Sequence, residues 1–296
     1  MEMKEVAERI YLIKMPISAA QGVLSAYVIR GESGVLIDPG PASVVPGVLE
    51  GMKQLGVKEL EYIIPTHIHL DHAGGMGKLA GIFPQARFVL HPAAVKHAVD
   101  PTRLIEGTKM AFGADFEKAW GAILPVPEGR ITVPKDGEIL STRCGELKVI
   151  YAPGHAPHHI AILDERTGGL FCGEALGVPK SGAELFPLPS VAPPSFDIEV
   201  YLETMGKLCQ LKPRTLFYAH DGVGREPEKL IPVAEENTRT FADIILRALK
   251  EGKSPEEIGS RLNEYILSRV QVGADEMDRT MTVDAYTGYF KKKGMV

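Results

Sequence analysis

Three histidines and one aspartate fall within six consecutive residues of this chain. They are His67, His69, Asp71 and His72, and they directly follow residues 61–64, whose sequence is typical of a strand. Alternate side chains of extended backbone share one face, so His67 and His69 can converge on one point. Asp71 and His72 fall at the expected turn into a helix, from which they can approach a second point nearby. Because imidazole and carboxylate groups are the usual ligands of zinc and iron, the stretch predicts one metal ion or two neighbouring ones.

The motif resembles the H-x-H-x-D-H signature of the metallo-β-lactamase-fold hydrolases, and Thr66 and Gly74-Gly75 beside it are similar to the glyoxalase II and lactonase branches. The resemblance extends over most of residues 1–225. It implies an α+β fold, namely a four-layer αββα sandwich of two mixed sheets between outer helices, with a C-terminal helical appendage. The expected domains are therefore a metallo-β-lactamase-like catalytic domain over residues 1–226 and a helical extension over residues 227–296.

The resemblance also implies three ligands further along the chain. His155 stands in a Pro-Gly-His motif where the family has the third histidine of its first metal site, and His220 matches the last ligand of the second site, although Ala219 replaces a glycine. Glu174 occupies the place of an aspartate that bridges the metals, and its extra methylene shifts the carboxylate by about a bond length unless the backbone or rotamer adjusts. The implied set is a first metal on His67, His69 and His155, a second on Asp71, His72 and His220, and Glu174 between them.

The expected cofactors are two divalent transition-metal ions, zinc in the first instance, with iron or manganese as alternatives. Because Glu174 is longer than the usual aspartate, the second site is expected to be occupied more weakly, or to accept iron or manganese as readily as zinc. Two such ions lower the pKa of a bridging water and so provide a hydroxide nucleophile. Asp71 is the expected catalytic residue, as a ligand that also accepts a proton.

The expected activity is hydrolysis of an ester, thioester, lactone or phosphodiester by metal-bound hydroxide. Two alternatives stay open on the same fold. One is a non-haem iron oxidoreductase that acts on oxygen or a persulfide, and the other is a metal-binding sensor without turnover. Specificity is expected to depend on loops at residues 101–130 and 177–196. The second loop is apolar and rich in proline, which suits either the rim of a pocket or a structural loop.

Several polar and aromatic residues near these motifs have two interpretations each. Asp38 either orients a ligand histidine by hydrogen bonding or caps a turn. His158 can face the pocket as a proton carrier, whereas His159, at the start of a strand, either supports a ligand or packs in the core. Tyr218 could polarise a substrate oxygen, but packing is the favoured interpretation. Trp120 belongs either to the core or to the wall of the substrate site.

Hydrophobic periodicity predicts the elements around these residues. Strands are expected at residues 7–15, 24–30, 34–38, 87–90, 145–152, 160–164 and 215–218, and helices at residues 44–55, 77–83, 91–99, 116–123 and 197–211. In the tail, the pattern predicts helices over residues 227–251 and 283–293. Between them, Ser254-Pro255-Glu256-Glu257 is a capping box with proline at the first helical position, which predicts the start of another helix.

Composition restricts the compartment and the partners. The first residues contain no apolar core of a signal peptide and no run of about eighteen apolar residues occurs, so no export or membrane segment is expected. Three cysteines without C-x-x-C spacing favour a reducing cytoplasm. The net charge is −5 and the tail from Ala234 onward has 11 acidic and 10 basic residues, which argues against nucleic acid. The expected partner is a small molecule with an apolar portion, and the tail is expected to pack beside the active site or against a second subunit of a homodimer.

Overall fold

The computed structural model describes residues 2–17, 22–113, 116–180, 185–270 and 279–296. Contacts between residues divide the chain into two units. Unit 1 comprises Met1–Tyr151, His158–Gly173 and Pro213–Val223, and unit 2 comprises Ala152–Pro157, Glu174–Lys212 and Gly224–Val296. Each unit is built from separate stretches of sequence, and the expected domain boundary between residues 226 and 227 stays a prediction.

Unit 1 contains a seven-stranded sheet whose strands follow their order in the chain. They are β1 Glu2–Ala7, β2 Ile10–Ile17, β3 Gly22–Ile29, β4 Gly34–Ile37, β5 Leu60–Ile64, β6 Arg87–Val89 and β7 Ile131–Thr132. Strands β1 to β4 pair antiparallel and β4 to β7 pair parallel, so the sheet is mixed. The sequence predicts one strand where β1 and β2 form a hairpin. Strand β1 lacks a hydrophobic pattern because Val6 is its only buried residue.

A second mixed sheet belongs to the same unit. Its strands are β8 Ile139–Thr142, β9 Gly145–Tyr151, β10 Ile160–Asp164, β11 Gly169–Gly173, β14 Thr215–Tyr218 and β15 Val223–Gly224. They lie in the order β15-β14-β11-β10-β9-β8, with antiparallel pairs from β8 to β11 and a parallel pair between β11 and β14. The predicted strands ending near residues 152 and 218 are confirmed, and His155 and His220 follow them closely.

The described part of unit 1 also has six α-helices. They are α1 Val45–Gln54, α2 Leu70–Ala73, α3 Met76–Ile82, α4 Val95–Val99, α5 Thr102–Phe112 and α6 Phe116–Trp120. Because side chains alternate along a strand, the first sheet has two apolar faces. Ala26 and Val28 of β3 join a buried cluster that includes Val48 of α1. Tyr27 and Ile29, on the opposite face, join a cluster with residues of the second sheet. Unit 1 is therefore layered as helices, sheet and sheet.

The described part of unit 2 combines a short antiparallel hairpin with four helices. These elements are β12 Val178–Lys180, β13 Phe186–Leu188, α7 Ile198–Gln210, α8 Pro227–Lys250, α9 Pro255–Arg269 and α10 Thr280–Lys292. The predicted capping box is confirmed, because the Ser254 side chain accepts from the Glu257 backbone and the Glu257 carboxylate accepts from the Ser254 backbone. Asn237 of α8 is buried and donates to the Pro187 carbonyl at 2.7 Å, so α8 contacts the hairpin directly.

Two segments expected to be loops contain regular structure. Residues 101–130 include α5, and residues 177–196 include the β12–β13 hairpin, although residues 114–115 and 181–184 lie outside the described residues. Trp120 is buried in the cluster between the helices and the first sheet, which makes it a core residue. No helix within the described ranges is long and apolar enough to cross a membrane.

Candidate metal centre

The end of β5 leads directly to the first pair of histidines. His67 is buried, and its Nε2 atom lies 2.8 Å from Nδ1 of His69. Donor atoms that share a tetrahedral zinc ion stand roughly 3.3 Å apart when each bond is about 2.0–2.1 Å long. The two nitrogens are therefore close enough to share one ion, as the sequence predicts, although residues 66–69 form bends and not a continuation of β5.

Asp71, His72 and His220 form a second group. Asp71 Oδ2 lies 3.3 Å from Nε2 of His72 and 3.5 Å from Nε2 of His220. Asp71 and His72 are in the first turn of α2, whereas His220 comes just after β14. The backbone amide of Ser25 in β3 donates to the Ala219 carbonyl at 2.8 Å, which fixes the segment that carries His220. The fold thus brings together ligands that are far apart in the sequence.

Asp38 contacts the other ring nitrogen of His72. Its Oδ1 atom lies 3.3 Å from His72 Nδ1, and it accepts hydrogen bonds from the Thr66 amide at 2.7 Å and the Thr66 hydroxyl at 3.0 Å. Because a carboxylate occupies Nδ1, the imidazole presents Nε2 to Asp71. Burial lowers the pKa of His72, but the charges of Asp71 and Asp38 outweigh burial and hold that pKa well above its usual value. This geometry favours the orienting role for Asp38 over the capping role.

In unit 2, His155 and Glu174 contact each other. Glu174 Oε2 lies 3.0 Å from His155 Nε2, and both side chains are buried. The other oxygen, Oε1, accepts a hydrogen bond from the Ser190 hydroxyl at 2.6 Å. The Tyr201 hydroxyl donates to the backbone carbonyl of Glu174 at 2.8 Å. Contacts to both carboxylate oxygens and to the backbone therefore restrict the position of Glu174.

His158 and His159 lie beside the first pair of histidines. The buried ring of His159 stacks on His67 with centroids 4.9 Å apart, and the ring of His158 is perpendicular to His69 at 5.6 Å. A Cβ at Gly173, where φ is +54°, would come within 2.6 Å of His159 Nε2, so glycine leaves the space that His159 occupies. His159 supports His67 by packing, whereas the role of His158 as a proton carrier stays a prediction.

Two further residues near the site are packed in the core, and for Tyr218 this is the interpretation that the sequence favours. Tyr218 is buried in β14, and its backbone carbonyl accepts a hydrogen bond from the Tyr27 hydroxyl at 2.7 Å. Cys172 is also buried, and its thiol donates to the Phe217 carbonyl at 3.4 Å. Burial raises the pKa of the Cys172 thiol above its ordinary value.

The sequence matches the model of the metallo-beta-lactamase superfamily over residues 20–220. The chain belongs to the metallo-β-lactamase superfamily. The metallo-beta-lactamase fold-containing protein ST1585 of Sulfurisphaera tokodaii is 24% identical over 205 residues, which cover 68% of this chain and 74% of that protein. A hydroxyacylglutathione hydrolase of Shewanella baltica is 33% identical over 214 residues, which cover 72% of this chain and 66% of that protein.

A solved structure shows the same fold over nearly the whole chain. The metallo-beta-lactamase family protein TTHA1429 from Thermus thermophilus has a TM-score of 0.74 at 21% identity, and the match covers 98% of this chain and 95% of that one. The predicted fold class, the αββα sandwich with C-terminal helices, is therefore confirmed.

The predicted ligands of this chain carry the donor groups that transition metals bind. Five of the predicted ligands lie in unit 1 and two lie in unit 2. Each offers an imidazole nitrogen or a carboxylate oxygen, and the closest donor pairs in unit 1 are 2.8 to 3.5 Å apart. These residues fit bound divalent metal ions. Imidazole and carboxylate serve zinc, iron and manganese alike, so the donor set does not select one of them.

The sequence does not predict two residues that contact Glu174 in the candidate site. Ser190 is 16 residues from Glu174 and Tyr201 is 27 residues from it, and neither stands in a recognisable motif. The available signal was Glu174 itself, because a buried carboxylate requires a hydrogen-bond donor or a cation. That requirement predicts a donor without indicating where in the chain it lies.

Proposed function

We propose that this chain is a metal-dependent hydrolase that binds two divalent transition-metal ions. The proposed ligands are His67, His69 and His155 for the first ion, Asp71, His72 and His220 for the second, and Glu174 between them. The observation that carries the proposal is the second group, in which Asp71 Oδ2 lies 3.3 and 3.5 Å from the two histidine nitrogens. Those separations suit ligands of one ion. Membership of a superfamily that includes metallo-hydrolases supports the same activity.

When bound, the two ions would supply a hydroxide nucleophile by lowering the pKa of a water molecule to near neutrality. The side chains of this chain orient the ligands for that chemistry. Asp38 engages Nδ1 of His72, and the Thr66 hydroxyl lies 3.2 Å from Nδ1 of His67. Asp71 is the proposed catalytic residue, because its side chain is 24% exposed while that of His72 is fully buried. A substrate can therefore approach the Asp71 carboxylate, which can accept a proton.

The proposed substrates are esters, thioesters, lactones or phosphodiesters. Thioesters are included because the name of the Shewanella relative denotes hydrolysis of an acylated glutathione. An apolar portion of the substrate is proposed because Phe186 and Val191, which follow Glu174, are apolar and only partly buried. No nucleic-acid partner is expected at a net charge of −5, and three free thiols suit a reducing cytoplasm. Formation of a homodimer stays a prediction.

Substitution of His69 tests the proposal. We expect His69→Ala to lose bound metal and nearly all turnover of p-nitrophenyl acetate and bis(p-nitrophenyl) phosphate, because it removes an imidazole ligand. His97→Ala is the matched control, since His97 lies in α4 outside both groups of ligands. Metal content is measured by elemental analysis on protein purified without added metal. Retention of the parent's metal content and turnover by His69→Ala would contradict the proposal.

The same protein preparation discriminates between the proposed hydrolase and the two alternatives. Oxygen consumption with persulfide or thiol substrates by iron-loaded protein would favour an oxidoreductase. A colourless, zinc-loaded and hydrolytically active protein would exclude that alternative. Metal binding without turnover of these two substrates, or of a thioester and a lactone assayed in the same way, would favour a sensor.

A further inference from the structure

The two carboxylate oxygens of Glu174 have different neighbours within unit 2. Oε2 faces His155, with 3.0 Å between it and Nε2. Oε1 accepts a hydrogen bond of 2.6 Å from the Ser190 hydroxyl. Hydrogen bonds between a hydroxyl and a charged carboxylate are short and stronger than neutral ones. The Ser190 hydroxyl therefore distinguishes one oxygen of Glu174 from the other.

Ser190 is itself held in place by the backbone and by α7. Its amide donates to the Tyr201 hydroxyl at 3.4 Å, and the same hydroxyl donates to the Glu174 carbonyl at 2.8 Å. Tyr201 is fully buried, and its ring contacts Phe196 at 5.4 Å between centroids. One tyrosine thus links the backbone of Ser190 to the backbone of Glu174, so the distance between the two side chains is restricted.

We propose that Ser190 is a positioning residue that holds Oε1 of Glu174 and makes Glu174 a metal ligand through Oε2 alone. This inference rests on the proposed metal-dependent function. An aspartate at position 174 would have its carboxylate roughly 1.5 Å, one carbon–carbon bond, further from Ser190 and would lose the hydrogen bond. Glu174 and Ser190 are therefore a matched pair, in which the serine uses the extra reach of the longer side chain.

Replacement of Ser190 in the full-length protein tests the inference. After removal of metal, zinc and cobalt(II) are titrated into the parent, Ser190→Ala, Ser190→Thr and the control Ser195→Ala, whose serine is exposed in the same segment. We expect Ser190→Ala to weaken metal binding roughly 10- to 100-fold, as is typical when a group that orients a ligand is lost. Its cobalt(II) absorption spectrum should also change. Ser190→Thr retains a hydroxyl and should resemble the parent, as should Ser195→Ala.

A double substitution separates the hydrogen bond from other effects of Ser190. In a Glu174→Asp background, the serine hydroxyl has no carboxylate within reach, so Ser190→Ala should cause no further loss of affinity. Equal losses in the Glu and Asp backgrounds would overturn the inference, and so would parental affinity and spectrum for Ser190→Ala. Equal behaviour of the Ala and Thr variants would also overturn it. If the parent binds no zinc or cobalt, the proposed function is contradicted as well. If the parent binds metal and Ser190→Ala binds it equally well, only this inference is contradicted.

Discussion

Asp38 combines an unusual backbone conformation with three contacts at the candidate site. Its φ is +47°, in the left-handed region. Residues other than glycine rarely adopt this conformation, and among them aspartate and asparagine tolerate it best. Its carboxylate accepts from Thr66 and contacts His72. Such backbone strain costs on the order of 1–3 kcal/mol and persists where surrounding contacts enforce it. Here the side-chain contacts to Thr66 and His72 act together with a hydrogen bond of 3.0 Å from the Asp38 amide to the Ile64 carbonyl.

We expect Asp38→Asn to weaken binding of the second metal roughly 10- to 100-fold with little change in the melting temperature. Asparagine tolerates the same backbone conformation, so the fold should persist, but the neutral amide no longer stabilises the orientation of His72. Zinc titration of metal-free protein measures the affinity, and thermal unfolding measures stability. Asp243→Asn, at an exposed position of α8, is the control. Unchanged affinity in Asp38→Asn would show that Asp38 serves the turn and not the metal.

The sequence predicts the residues of the candidate site unevenly, for physical reasons. The spacing of His67 and His69 predicts that they converge, as alternate side chains of extended backbone do. The two side chains do meet, although residues 66–69 bend beyond the end of β5 and do not continue the strand. His155 and His220 follow two separate strands, β9 and β14, and only resemblance to a family predicts them. Ser190 was not predicted, because its contact with Glu174 depends on the path of a proline-rich segment that no periodicity describes.

At the scale of elements, one buried side chain joins three pieces of unit 2. Asn237 of α8 donates to the Pro187 carbonyl in β13 at 2.7 Å, and its own carbonyl oxygen accepts from the Tyr265 hydroxyl of α9 at 2.8 Å. Pro187 is three residues before Ser190. The hydrogen bonds of Asn237 therefore help to place the segment whose serine contacts Glu174.

We expect Asn237→Ala to lower the free energy of unfolding by about 1–3 kcal/mol, because a buried carbonyl loses its donor. Arg239→Ala, at an exposed position two residues along the same helix, should change it by less than about 0.5 kcal/mol. Urea unfolding followed by circular dichroism measures both. A loss as small in Asn237→Ala as in the control would mean that water replaces the side chain without cost.

Predictions of whole elements succeed where burial imposes a strong pattern. The helix expected at residues 227–251 is α8 Pro227–Lys250, and the capping box begins α9 as expected. Strand β1 was not predicted as a separate element because five of its six residues are not buried, so no alternation appears. The β12–β13 hairpin contains Pro179 and Pro187, which argue against strands, and pairs over only three residues in each strand.

At the scale of the whole molecule, the C-terminal helices share unit 2 with residues that precede residue 213. Phe196, buried before α7, contacts Tyr286 of α10 with ring centroids 5.1 Å apart. Lys293 forms an ion pair with Glu199 of α7. Because this ion pair is exposed, it contributes little, and the aromatic contact is the more important one. The tail therefore belongs to the same packed unit as α7 and Glu174.

We expect a chain that ends at residue 226 to lose cooperative thermal unfolding and to bind a hydrophobic dye. Phe196 would lose its contact with Tyr286 and become more exposed, and burial of one large apolar side chain contributes about 1.5–3 kcal/mol. The Pro187 carbonyl would also lose the hydrogen bond that Asn237 donates to it. A chain that ends at residue 293 is the control, because residues 294–296 are exposed and it should unfold like the parent. Thermal unfolding followed by circular dichroism, with dye fluorescence, compares the three proteins. If the chain that ends at residue 226 unfolds cooperatively at the parent's melting temperature, the tail is an independent appendage and Glu174 is positioned without it.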